Sequence, residues 1–148
     1  MPTATNTIPR PAAGVMGVID EITFYARLVT TTSGTLDTTN TWTPGGVSVV
    51  KTATKTGRYT FTLPTAFERL LLVATTTVGP TDAAIGANTK GLDAFIRNDN
   101  VTRTVNLAAS TQAGTFDLQF AQTSYADAEL PDAAAVMVQI TVARGKTF

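Results

Sequence analysis

Residues 57–64 read GRYTFTLP, and Tyr59, Phe61 and Leu63 alternate there with Arg58, Thr60 and Thr62. A side-chain period of two puts the large apolar groups on one face and the polar groups on the other, the pattern of a half-buried β-strand. Gly57 opens this stretch and Pro64 closes it. The same pattern returns at residues 115–122 (TFDLQFAQ), where Phe116, Leu118 and Phe120 oppose Asp117, Gln119 and Ala121 behind Gly114. It returns again at residues 134–143 (AAVMVQITVA), with Val136, Val138, Ile140 and Val142 on one side. Sheet faces of this kind must bury their apolar side against a second layer, so these stretches predict a β-sandwich.

The remaining segments fit that expectation. Residues 22–32 alternate Ile22, Phe24, Ala26 and Leu28 with Thr23, Tyr25, Arg27 and Val29, and Ser33-Gly34 ends the strand. Residues 35–43 form a polar loop or irregular edge strand that carries Trp42, before the turn Pro44-Gly45-Gly46. A lone Trp in a small β-domain is expected to plug the core; an interface anchor and a sugar-stacking platform are the alternatives. Residues 47–56 predict a strand in a hairpin with residues 57–64, and Lys51 and Lys55 read as protection of its edge. Residues 65–68 are a short connection. Residues 92–97 (LDAFIR) and 101–107 (VTRTVNL), joined by Asn98-Asp99-Asn100, read as another hairpin. In all, about eight strands are expected with almost no helical period, an antiparallel all-β sandwich of jelly-roll type.

Residues 69–78 (RLLLVATTTV) begin with an apolar run, Leu70, Leu71, Leu72 and Val73. Such a run is expected where both faces are covered, one by the opposite sheet and the other by an arm or a neighbouring subunit. A central strand covered by its own loops is the alternative. Leu70, Leu71, Leu72, Val73 and Trp42 are therefore the candidate subunit interface.

Residues 1–21 contain Pro2, Pro9 and Pro11 with Gly14 and Gly17 and no sustained period, so an extended N-terminal arm is expected ahead of a sandwich domain at 22–148. Ile8, Val15, Met16, Val18 and Ile19 are too apolar for a purely solvated tail. The arm is expected either to fold back on its own domain or to lie across a neighbour.

Composition narrows the chemistry. Eleven basic residues balance eleven acidic ones and charged residues make up 15% of the 148-residue chain, so no overall field draws it to nucleic acid or an anionic membrane. Thr, about one residue in five, takes the solvent side of the strands. A near-neutral, sparsely charged surface favours association. His and Cys are both absent, which removes Ser-His-Asp and Cys-His catalysis, disulfides, and His- or Cys-ligated metals. A non-enzymatic protein without cofactors is the expectation. No apolar run approaches the ~20 residues of a membrane-spanning helix. The N-terminus lacks a secretory h-region, so cytoplasmic synthesis is expected.

Two local motifs carry little. Gly145-Lys146-Thr147 lacks the Gly five positions earlier and the following helix that a phosphate-binding loop needs. Asp127, Glu129 and Asp132 share a loop without the spacing of a calcium site and read as a solvated turn.

The order of elements, with G-R-Y-T-F-T-L-P after a Thr-rich hairpin, then T-F-D-L-Q-F and a closing V-M-V-Q-I-T-V, resembles the C1q/TNF-like jelly rolls of tailed-bacteriophage structural proteins. The resemblance spans residues 22–143. It implies a homotrimer on the virion, made in the host cytoplasm, that decorates and cements the capsid by binding the major capsid protein. The candidate capsid-binding residues are then Ile8, Pro9, Arg10, Pro11, Val15, Met16, Val18 and Ile19 of the arm. A tail-fibre or baseplate head module is a second role within this resemblance, although no G-X-Y or heptad stem is visible. A carbohydrate-binding sandwich using Trp42, Tyr25 or Tyr125 as a stacking platform is the reading from another class.

Overall fold

The computed structural model describes residues 21–78, 92–101, 114–122 and 126–143. Seven strands lie among them: β1 (Glu21–Val29), β2 (Ser48–Lys51), β3 (Arg58–Thr62), β4 (Arg69–Val78), β5 (Leu92–Arg97), β6 (Thr115–Gln122) and β7 (Ala135–Ala143). They form two antiparallel sheets, one ordered β1-β7-β4 and the other β2-β3-β6-β5. A 3-10 turn lies at Thr32–Gly34, and Val101 is helical where the sequence predicts a strand over residues 101–107. The chain is an all-β, two-sheet sandwich.

The inward faces are those the alternation marks. Tyr59 and Phe61 of β3 and Phe116, Leu118 and Phe120 of β6 are buried in one cluster with Leu28 of β1 and Val136, Val138, Ile140 and Val142 of β7. Phe61 and Phe116, opposite one another in the β3–β6 register, stack with centroids 5.1 Å apart, and Tyr59 meets Phe120 edge-on at 5.9 Å. Such aromatic pairs add about 0.5–1.5 kcal/mol beyond the area they bury. Phe67, in the connection after β3, also turns inward and packs edge-on against Phe24 at 5.8 Å.

Several expectations are corrected. The hairpin of residues 47–56 and 57–64 forms, with Val49 opposite Phe61, but Lys51 falls opposite Tyr59 and so on the inward side. Lys51 Nζ donates to Glu129 Oε1 at 2.9 Å and also to the Ser33 carbonyl; it ties the end of the sandwich together instead of guarding an edge. Glu129 is accordingly not part of a solvated turn. Leu92–Arg97 pairs with β6; of its expected hairpin partner, residues 102–107 lie outside the described residues and Val101 is buried. Trp42 is outside the core. Leu70–Val73 is not sandwiched as a whole, because a bulge between Leu70 and Leu72 sends Leu70 and Val73 toward the core and Leu71 and Leu72 outward. Among the described residues β4 pairs with β7 alone.

Candidate interaction face

Residues directly opposite in an antiparallel ladder point to the same side of the sheet. On the side of the β1-β7-β4 sheet away from the core, three rows follow from the registers. Trp42, bridged to Arg27, continues through Met137 to Thr76; Tyr25 continues through Gln139 to Ala74; Thr23 continues through Thr141 to Leu72. The large apolar members of these rows are open to solvent: Trp42 is 58% exposed, Tyr25 57%, Leu72 49% and Met137 44%, and Leu71 at the bulge is 38% exposed. Arg27 is the one charged side chain in the three rows. Between Tyr25, Ala74, Thr76, Met137 and Gln139 lies a shallow depression of about 160 Å³.

Local chemistry holds Trp42 in its row. Its backbone exchanges two 2.8 Å hydrogen bonds with Arg27, which extends the sheet by one bridge beyond β1. The preceding turn is built on Asp37, whose carboxylate accepts from the Thr39 and Asn40 amides at 3.0 and 3.2 Å and from Asn40 Nδ2 at 2.7 Å. These bonds, the Asn40 side chain foremost, hold the Asp37 carboxyl below its ordinary pKa. Thr41 Oγ1 then accepts from the Val29 amide at 3.0 Å, so the turn docks on the end of β1 and delivers Trp42 to the outer face.

The outer side of the other sheet carries a hydrogen-bonded polar network, with Val50 and Phe95 exposed beside it. Arg58 Nε donates to Gln119 Oε1 at 2.7 Å, and Gln119 Nε2 donates to the Thr56 and Phe120 carbonyls at 2.8 and 2.9 Å. Thr60 Oγ1 and Asn98 Nδ2 donate to the two Asp117 oxygens at 2.8 and 2.7 Å. Asp117 and Gln119 are buried by these partners although they point away from the core. Donor and acceptor are matched throughout, which makes this network a device for stability.

The end of the sandwich holds a second polar group of residues around Lys51, Glu129, Gly34 and Tyr59. Tyr59 Oη donates to the Gly34 carbonyl at 2.7 Å, and burial, reinforced by the nearby Glu129 charge, raises the phenol pKa well above its usual value. Open depressions of about 380 and 670 Å³ lie beside it, lined by residues 51–56 and by the loop carrying Asp127, Glu129 and Asp132. The Lys51 ammonium already occupies one Glu129 oxygen. Among the described residues no group of three or more His, Cys, Asp or Glu side chains is placed to hold a metal ion.

Of the residues nominated from the sequence, the structure brings Trp42, Leu71 and Leu72 to one side of one sheet and turns Leu70 and Val73 away from it. The arm candidates Ile8, Pro9, Arg10, Pro11, Val15, Met16, Val18 and Ile19, and the aromatic Tyr125, lie outside the described residues. Tyr25, nominated only as a stacking platform, joins the face from the positions that alternate with the buried ones, and Met137 was not singled out at all. Parity was the available signal for both: each is a large apolar residue out of phase with the buried positions of its strand. No helix among the described residues is long and apolar enough to cross a membrane. In comparisons with family models, curated proteins and solved structures, the chain finds no match in any of the three.

Proposed function

We propose that this chain is a non-enzymatic viral structural protein that decorates a capsid and stabilises its shell. The observation that carries the reading is the outer face of the β1-β7-β4 sheet, where Trp42, Tyr25, Leu72 and Met137 stand exposed in adjacent rows around a single charge. Apolar sheet surface of this kind serves a protein that works in contact with others. Buried apolar area contributes about 25 cal/mol per Å² and needs no turnover, so cement across capsomer boundaries is a function for which a sandwich without His or Cys is sufficient. The resemblance to phage C1q/TNF-like jelly rolls supplies the setting: a homotrimer, with arm residues 1–21 on the major capsid protein and the apolar face toward neighbouring copies.

The experiment is co-sedimentation with capsids lacking their decoration. Full-length protein is expected to pellet with the shells and raise their disruption temperature. Deletion of residues 1–14 is expected to abolish pelleting while the sandwich stays folded; a truncated protein that still decorates shells removes the arm as anchor. Light scattering measures the oligomer, and a monomer at high concentration counts against the reading. One observation favours carbohydrate binding as a second reading, because exposed Tyr25 is the diagonal cross-strand neighbour of exposed Trp42. Strong hits in a glycan screen without capsid affinity would select it.

A further inference from the structure

The exposed side chains on the outer face of the β1-β7-β4 sheet follow a diagonal. Trp42, bridged to β1, stands at one corner and Leu72 of β4 at the opposite one, with Tyr25 and Met137 on either side of the line between them. At the strand spacing and rise of an antiparallel sheet this diagonal is roughly 20 Å long. The depression of about 160 Å³ between Tyr25 and Met137 lies along it. An occupant that fits is long, narrow and apolar, and meets aromatic rings.

A segment of this chain fits that description. Residues 8–16 read IPRPAAGVM and belong to the arm that leads into β1 at Glu21. Pro9 and Pro11 remove two successive donors from one side of an extended chain, which disfavours joining a sheet edge and leaves the segment suited to lying across a face. Their fixed φ favours polyproline II, in which nine residues span roughly 25 Å and every third side chain points the same way. That period groups Arg10, the one charge among the nine, with Ala13 and Met16, and leaves Ile8, Pro9, Pro11, Ala12 and Val15 on the other two sides. Arg10 then faces water, away from Arg27 of the sheet. Pro-rich segments in this conformation dock on aromatic-lined surfaces because the helix is ordered before it binds and little entropy is lost.

We infer that the outer face of the β1-β7-β4 sheet is the seat of residues 8–16 of a second copy of this chain. The exposures of Trp42 and Tyr25, 58% and 57%, are those of a single chain, so the cover comes from another. The contact rests on the part of the capsid reading that turns this face toward neighbouring copies. It concerns the protein free of capsids, where the arm that the same reading assigns to the shell has no shell to meet. The two fail separately, since co-sedimentation tests the shell and the measurements below use no capsid.

Trp42 is the single Trp of the chain and reads the face directly. Its emission in the full-length protein is expected to lie to the blue of that in the full-length variant Pro9→Gly, Pro11→Gly, Val15→Ser, whose substitutions all fall in the arm; identical emission overturns the inference. Two single-cysteine chains, Ala12→Cys and Ala74→Cys, mixed and oxidised, locate the contact between copies, because the natural chain has no Cys. A mixed disulfide dimer is expected, and its loss when Ala74→Cys is replaced by Lys55→Cys, an exposed position in the turn between β2 and β3. Equal yields from the two mixtures overturn the inference. In the double variant Ala12→Cys, Ala74→Cys, a disulfide closed within one chain and no linked dimer would assign the face to the chain's own arm, and overturns it as well.

Discussion

Gly57 enters β3 with φ +61°, and a Cβ at that position would collide with the backbone carbonyl of Ala128. Neither the left-handed backbone nor the neighbouring main chain can yield cheaply, so Gly57→Ala is expected to destabilise by about 3 kcal/mol in urea unfolding. Tyr59, one turn of the alternation later, controls the alkaline limit. Its folded pKa is raised above the unfolded 10.0, so its contribution is complete below pH 10.0 and declines as pH rises and the unfolded chain gives up the proton first. The loss reaches at most about 1.4 kcal/mol per pH unit, and unfolding midpoints of Tyr59→Phe are expected to fall less steeply over that range. Asp37 acts in the opposite sense. With its carboxyl held below the ordinary 3.8, its stabilisation of the turn is present above that value and is lost as pH falls through the folded pKa. Trp42, the single Trp of the chain, reports this directly: its fluorescence anisotropy is expected to drop on acidification, and Asp37→Ala to reproduce the drop at pH 7.

At the level of elements, β6 is the strand that the four-stranded sheet depends on. It is flanked by β3 and β5, and it is apolar toward the core and polar yet buried on its other side. Asp117→Ala would strip Thr60 and Asn98 of their acceptors, and a loss of about 2 kcal/mol in thermal or urea unfolding is expected. β4 shows how a single extra residue redirects a strand. Without the bulge, strict alternation would carry either Leu70 or Val73 to the solvent side; with it both reach the core, and the two leucines between them are exposed.

For the whole molecule, the sandwich separates two tasks. One sheet closes the centre of its outer surface with matched hydrogen bonds, leaving Val50 and Phe95 exposed around them, and the other leaves the larger group Trp42, Tyr25, Leu72 and Met137 open. The combined variant Trp42→Ser, Tyr25→Ser, Leu72→Ser is therefore expected to shift the unfolding free energy by no more than about 0.5 kcal/mol per site, while sharply reducing retention on a hydrophobic-interaction column. Comparable losses of stability and retention would mean that these side chains support the fold. The sequence by itself determined the strands and their inward residues, because alternation is a property of the extended backbone and needs no partner: Tyr59, Phe61, Phe116, Leu118 and the β7 valines could be read directly. Only the tertiary structure decided who pairs with whom. Thr23 meets Thr141 at 3.0 Å across 118 positions, Lys51 finds Glu129 across 78, and β5 joins β6. No local pattern encodes such distant contacts. The same contacts decided what lies open, leaving Trp42 on the surface while Gln119 is enclosed, since burial depends on which side chains the fold brings alongside.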